Sequence, residues 1–142
     1  MKNFFAACLL LAAGTVMAQA APAGLWKTID DETKTEKSFV RISDTGGVLS
    51  GKVERVLDPA SQQAKCDKCT DARKDQLVVG MTIIEGVKKN ADEVFWDGGN
   101  ILDPNNGKLY KVRLTLKDAG KQLEVRGFVG PFFRNQQWIR VE

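Results

Sequence analysis

The cysteine pair in Cys66-Asp67-Lys68-Cys69 is the most reactive-looking motif of the sequence. Two cysteines in an exported chain most often form a disulfide. A bridge that closes so small a loop stabilises the fold by only about 1–2 kcal/mol, so its expected role is to hold a loop in place locally. The pair Cys66 and Cys69 is therefore predicted to be a structural disulfide.

Two other kinds of chemistry remain open for the same cysteines. Lys65 and Lys68 would favour a thiolate, which is what a thiol-redox protein needs, although the strand–helix–strand setting of thioredoxin-like proteins is not predicted here. A metal site would need further ligands, which only Asp67, Asp71 or a second chain could supply.

The sequence contains no histidine. This excludes Ser-His-Asp and Cys-His catalysis, histidine general bases and most zinc enzymes. Adjacent carboxylates at positions 30–32 and 92–93 lie beside lysines and are typical of solvated turns, and Asp103 before Pro104 is expected to cap its own turn. Phosphate-binding loops, G-x-S-x-G and H-E-x-x-H are absent. We therefore predict a protein that is not an enzyme and that needs neither a cofactor nor a metal.

The composition is that of one ordinary globular domain. The chain has 142 residues, 43% of them hydrophobic and 27% charged, with 21 Lys and Arg against 18 Asp and Glu. The net charge of +3 is small, and basic and acidic residues are interspersed along the chain. A nucleic-acid partner is therefore not expected.

The first twenty residues have the pattern of a secretory signal peptide. Lys2 is followed by an unbroken apolar run at positions 4–13 and then by small residues, which place cleavage after Ala18 or Ala20. The run is too short for a transmembrane segment, which needs about twenty residues. We expect a domain at 21–142 that is periplasmic or secreted.

The spacing of apolar residues after the leader has period two. Tyr110, Val112, Leu114 and Leu116 share one face of a strand, which is typical of a half-buried antiparallel sheet. Nine segments with strand character lie at 26–29, 38–42, 48–57, 78–87, 94–96, 99–102, 108–116, 123–129 and 138–141, and they predict a sheet of about eight strands. One long loop, 58–76, carries both cysteines and a helical turn near 71–75. Because closure removes exposed sheet edges, the pattern favours an all-β, single antiparallel up-and-down β-barrel.

Motifs along the whole domain resemble the DUF2147 family of small secreted bacterial proteins of unknown function. The matching stretches include G-L-W at 24–26, W-D-G-G-N-I-L-D-P-N-N-G-K-L-Y at 96–110 and Q-W-I-R at 137–140. The first and last also resemble the lipocalin/calycin pattern, in which a late Arg stacks on an early Trp. The resemblance implies a lipocalin-like barrel in the bacterial envelope and no established reaction.

A barrel of eight strands can hold one small ligand. We therefore expect this protein to bind a small hydrophobic or lipid-like molecule. Aromatic residues are expected to line or floor the site and two arginines to anchor polar groups: Trp26, Trp96, Tyr110, Phe128 and Trp138, with Arg126 and Arg140.

Strand alternation limits this assignment. Phe128 falls on the face opposite to Leu123 and Val125, so it reaches the interior only if a bulge occurs at Gly127. Phe132 and Phe133 cannot both point inward, and one of them is expected at an opening or a partner surface. The alternatives are a filled barrel that acts as an envelope protein-interaction module, and a thiol-redox protein that uses Cys66 and Cys69.

Overall fold

A computed structural model describes residues 20–142 as eight antiparallel strands in one closed ring. The strands are β1 (Gly24–Ile29), β2 (Glu36–Thr45), β3 (Val48–Val56), β4 (Thr82–Lys89), β5 (Trp96–Asp103), β6 (Lys108–Lys117), β7 (Gln122–Val129) and β8 (Phe132–Arg140). Each strand pairs with the next, and β8 pairs with β1. The predicted all-β up-and-down barrel is confirmed. The predicted signal peptide lies outside the described residues.

The period-two pattern sorts residues between the inside and the outside of the ring as predicted. On β6, Val112 and Leu114 are buried, and on β7 Leu123 and Val125 are buried, while their sequence neighbours are more exposed. These inner positions pack with others from every strand into one core. Burial of this alternating apolar face is the main force that holds the sheet closed.

Three predicted boundaries are corrected by the structure. The strand expected at 78–87 begins only at Thr82, because Val78 and Gly80 donate their backbone N–H groups to Ala64 and Val53 and so belong to the preceding loop. The long loop therefore runs from 57 to 81 rather than from 58 to 76. The segments at 94–96 and 99–102 are not two strands, since β5 runs from Trp96 to Asp103 without a break.

The third correction concerns β8, which starts at Phe132 instead of position 138. It pairs residue for residue with β7, from Val129 opposite Phe132 to Gln122 opposite Ile139. Polar residues occupy its inward positions near the start, and they conceal the alternation on which sequence reasoning depends.

The two ends of the barrel differ in their connections. The closed end carries the tight turn at 46–47, the loop at 90–95 and the short 3₁₀ segment η2 (Asp118–Gly120). The open end carries the β1–β2 loop, the long loop with the 3₁₀ segment η1 (Pro59–Ser61), the β5–β6 turn and the two-residue β7–β8 turn.

Two glycines allow β4 and β5 to approach each other closely. Gly86 has a φ of +72°, and a Cβ on Gly99 would lie 2.0 Å from the carbonyl oxygen of Glu85 and 2.7 Å from the backbone nitrogen of Val87. Only a residue without a side chain fits there, because backbone atoms cannot move aside as a flexible side chain can.

We predict that Gly99→Ala lowers the free energy of unfolding by about 3 kcal/mol or more, because the added methyl group collides with buried backbone. Gly46→Ala in the solvent-exposed β2–β3 turn is the control. Nothing lies within 4 Å of its Cβ position, so only the cost of its positive φ, about 1 kcal/mol, remains. Urea denaturation measures both. Equal destabilisation by the two variants would contradict the steric explanation.

Candidate functional site

The barrel contains a cavity of about 770 Å³ that opens between the loops of the open end. Its walls are formed by inward-facing strand residues and by the long loop. Apolar side chains form part of the lining: Val53, Val56, Val78, Ile83, Ile101, Val125 and Trp138. The long loop adds Leu57, Ser61 and Ala64 near the opening. A volume of this size is in the range of small-molecule sites.

A chain of hydrogen bonds connects the deep wall to the rim. The indole N–H of Trp138 donates to Oε1 of Gln136 at 2.9 Å, and Nε2 of Gln136 donates to Asp31 at 3.2 Å. Arg134 donates from Nε and Nη2 to the two carboxylate oxygens of Asp31 at 3.0 and 2.7 Å. These bonds lower the pKa of Asp31 to about 2, and those from Arg134 have the largest effect. Asp31 is therefore a carboxylate at neutral pH.

The same arginine also faces the β5–β6 turn. Nη1 of Arg134 lies 3.6 Å from the carboxylate of Asp103, and the hydroxyl of Tyr110 accepts a hydrogen bond from Asn106 at 2.9 Å. Asp103 accepts from the backbone N–H of Asn105, which confirms its predicted turn-capping role. The rim therefore has a fixed polar lining.

The β1–β2 carboxylates divide into two kinds. Asp30 accepts from the backbone N–H groups of Glu32 and Thr33 at 3.0 and 2.8 Å, as expected of a solvated turn. Asp31 is only 16% exposed and bridges to β8 instead, so the expectation of a solvated turn is wrong for this residue.

The closed end is built around Trp26. Its ring is fully buried, its indole N–H donates to the carbonyl of Pro22 at 2.8 Å, and the guanidinium of Arg140 lies 4.3 Å from the ring centroid. Arg140 also donates to the carbonyls of Ala21, Ala23 and Gly120 at 2.6, 3.0 and 2.6 Å.

Glycine precedes this tryptophan for a steric reason. Gly24 has a φ of +143°, and a Cβ there would lie 2.4 Å from the backbone oxygen of Glu142 and 2.7 Å from Nη1 of Arg140. The spacing of Gly24 and Trp26 thus follows from the closeness of the two chain ends.

The structure brings only two of the seven predicted ligand residues into the cavity. Tyr110 and Trp138 line it. Trp26 and Arg140 lie beneath it and form the closed end. Trp96 packs partly buried against the core near the closed end, with the ammonium of Lys89 5.5 Å from its ring.

Phe128 and Arg126 lie on the outer face of the barrel. The pairing of β7 with both neighbours runs through Gly127 without a shift in register, so the bulge that Phe128 would need is absent from that strand. Arg126 donates to Asn135 at 2.7 Å and stacks on the ring of Phe133, also on the outside.

Sequence reasoning missed Asp31, Arg134 and Gln136. Asp31 was masked by its acidic neighbours. Arg134 and Gln136 alternate with Trp138 along β8, and this i, i+2, i+4 spacing was the available signal. It was missed because β8 was predicted to begin too late.

Cys66 and Cys69 form a disulfide, as predicted. Both residues are buried, with exposures of 0% and 2%, and the loop between them packs on the β5–β6 turn, where a Cβ on Gly107 would lie 2.0 Å from the carbonyl oxygen of Lys68. The helical turn expected near 71–75 appears as backbone bonds from Lys74 to Asp71 and from Gln76 to Arg73. Within residues 20–142, no group of three or more His, Cys, Asp or Glu residues is placed to hold a metal ion.

The barrel, its stacked Trp–Arg pair and its open end define a lipocalin-like fold. Protein HP1028 from the human pathogen Helicobacter pylori, a member of the lipocalin family, has a similar structure, with a TM-score of 0.73 and 19% sequence identity. The match covers 87% of this chain and 84% of that one. At this identity the similarity concerns the fold.

The chain belongs to the DUF2147 family, described as an uncharacterized protein conserved in bacteria, whose profile matches residues 24–140. No curated protein matches the sequence. In the described part of the chain, no helix is long and apolar enough to cross a membrane.

We predict that Arg140→Gln lowers the free energy of unfolding by about 2–3 kcal/mol, because the bonds to three carbonyls and the stacking on Trp26 are lost together. Arg140→Lys recovers little of this, since an ammonium cannot reproduce the fork of the guanidinium. Arg55→Gln is the control, because Arg55 stands over the ring of Phe39 at a longer 6.0 Å. Urea unfolding midpoints test the ranking, and full rescue by lysine would contradict it.

The low pKa of Asp31 predicts a pH-dependent contribution to stability. A carboxyl group with a lowered pKa in the folded state stabilises the fold above its unfolded pKa of about 4, and this contribution disappears as the pH falls through about 2. Asp31→Asn should cost about 1 kcal/mol at pH 7 and almost nothing near pH 2.

Urea unfolding at pH 7, 4 and 2 measures this difference. Asp92→Asn in the exposed β4–β5 loop controls for the loss of one negative charge. A difference between wild type and Asp31→Asn that is the same at all three pH values would refute the ion pair as its source.

Proposed function

We propose that this protein binds a small hydrophobic or lipid-like molecule inside its barrel. The observation that carries the proposal is the cavity of about 770 Å³, which is open at one end and lined by both apolar and polar side chains. Apolar surface left in contact with water inside a folded protein is unfavourable, and a matching ligand would remove that cost.

The distribution of polar groups supports an amphipathic ligand in one orientation. Apolar and polar side chains share the lining, with Ile83, Ile101 and Val125 beside Tyr110, Gln136 and Arg134. Arg134 is held at the rim by its bonds to Asp31 of the β1–β2 loop. An apolar tail would enter first, and a polar group would remain beside the rim, where hydrogen bonds are available. We therefore assign Tyr110 and Trp138, two of the seven residues predicted from the sequence, as ligand contacts. We add Arg134 and Gln136 to them.

Export to the periplasm is part of the proposal. It rests on the leader pattern at residues 1–20 and on the disulfide of Cys66 and Cys69, since such bonds persist in oxidising compartments. A protein outside the cytoplasm that carries an apolar molecule needs no reaction chemistry, and we propose a non-catalytic role.

The two alternatives receive less support. A protein-interaction module with a filled barrel does not account for an open cavity of this size. A thiol-redox protein needs a sulfur that an attacking thiolate can reach, and both cysteines here are buried against the β5–β6 turn.

A fluorescent apolar probe, N-phenyl-1-naphthylamine, tests the proposal directly. We expect saturable binding with increased emission, and displacement of the probe by decanol. Native mass spectrometry of protein purified from the host envelope should show a non-covalent adduct. Absence of both probe binding and an adduct would overturn the proposal.

Val125→Phe locates the site. The larger ring enters the cavity and should weaken probe binding about tenfold, because it removes room for apolar contact. Ile139→Phe is the matched control on the outer face of β8, where the side chain is exposed, and should leave binding unchanged. Equal loss in both variants would place the probe elsewhere.

A further inference from the structure

Four exposed apolar side chains cluster beside the open end. Val129, Phe132 and Phe133 flank the β7–β8 turn with exposures of 49%, 76% and 55%, and Leu109 on β6 is 51% exposed. Since Lys111 pairs with Phe128, Leu109 lies beside the turn at Gly130. We call these four residues the hairpin patch.

The patch covers both faces of the hairpin tip. Phe133 pairs with Phe128 on the outer face, where their ring centroids are 6.2 Å apart. Phe132 pairs with Val129 on the opposite face, towards the open end. A tip that is apolar on both sides is only half covered by a flat protein surface, whereas a fluid lipid layer can surround it.

Positive charge surrounds this tip. Segments 108–113 and 126–135 contain five basic residues and no Asp or Glu. Arg113 lies on the outer face with its guanidinium 4.1 Å from the ring centroid of Phe95 and 5.2 Å from that of Phe128.

Two of the other basic residues have carboxylate partners. Arg126 stacks on Phe133 at 4.5 Å and lies 3.6 Å from Glu124, and Arg134 is bound by Asp31. Among the ion pairs of residues 20–142, none involves Lys108 or Lys111, and both residues are exposed. Their charges are therefore available to an outside partner.

We propose that the hairpin patch docks onto a lipid surface with anionic head groups. The side chains of Phe132 and Phe133 enter the interfacial layer, and Lys108 and Lys111 meet the head groups. This combination of apolar and basic residues is the one by which peripheral proteins bind anionic bilayers.

The orientation follows from the other charges at this end. The carboxylates Asp30, Glu32 and Asp58 lie on the β1–β2 loop and the long loop. An anionic surface repels them, so the barrel contacts the surface along β6–β8 rather than with its open end flat. This docking does not require an occupied cavity, and it holds whether or not the protein carries a ligand.

Vesicle co-sedimentation tests the proposal, with the protein as the host exports it and its N-terminus determined by mass spectrometry. Vesicles of equal parts phosphatidylglycerol and phosphatidylcholine should bind the protein, and pure phosphatidylcholine vesicles should bind it much more weakly. Binding should fall as salt is added, because the charges are exposed. Absence of binding to the anionic vesicles, or equal binding to both, overturns the proposal.

Two pairs of variants locate the contact. Phe132→Ser should weaken binding about tenfold, while Val94→Ser, at the closed end with 78% exposure, should have no effect. Lys111→Gln should weaken it about fivefold, while Lys52→Gln on β3 should not. Equal effects within either pair overturn the proposal.

A second copy of the chain is the competing occupant of the patch. Size-exclusion chromatography without lipid distinguishes the two. A dimer that Phe132→Ser converts to a monomer, with no loss of vesicle binding, overturns the lipid assignment. A wild-type monomer that binds anionic vesicles supports it.

Discussion

The contact of Arg140 with Trp26 is the constraint on which the closed barrel depends. Strand β8 meets β1 in two residue pairs, Trp26 with Arg140 and Lys27 with Ile139. Leu25 adds backbone hydrogen bonds with Val141 and Glu142, and the ladder at this seam is still shorter than those between the other strands. The guanidinium supplements it by stacking on the indole and by binding three carbonyls from two other segments. One side chain thus fastens the N-terminal segment, the β6–β7 turn and the last strand together.

The contact between β1 and β8 changes along the strands from backbone pairing to side-chain bonds. Beyond Lys27 and Ile139, β1 and β8 no longer exchange backbone hydrogen bonds, and the side chains of Asp31, Arg134 and Gln136 connect the two sides. The interior is packed with apolar side chains at the closed end and hollow at the other. The packed core and the Arg140 contacts hold the ring together at the closed end, and the cavity occupies the other end.

The alternating strands were predictable from the sequence because burial on one face imposes period two. Residues 110–116 illustrate this, since their inward positions are apolar without exception. The prediction failed where an inner wall is polar. Arg134 and Gln136 occupy inward positions of β8, so a rule that equates inward with apolar placed its start six residues too late.

The candidate site was harder to predict than the fold. Residue type identified Tyr110 and Trp138, and the Gly24–Trp26 spacing identified the closed end. Residue type alone could not tell whether Phe128 faces the inside or the outside of the barrel. Its odd-numbered separation from the inward-facing Leu123 places it on the outer face. The pairing of Asp31 with Arg134 joins residues more than one hundred positions apart, and no local pattern encodes such a distance.

The disulfide has a consequence for the order of events during maturation. Cys66 and Cys69 are three positions apart in a loop outside the strands, so their bond links no strand to another. The eight strands can thus assemble while both thiols are still reduced. Because both sulfurs are buried once the long loop packs against the β5–β6 turn, their bond has to form while that loop is still open.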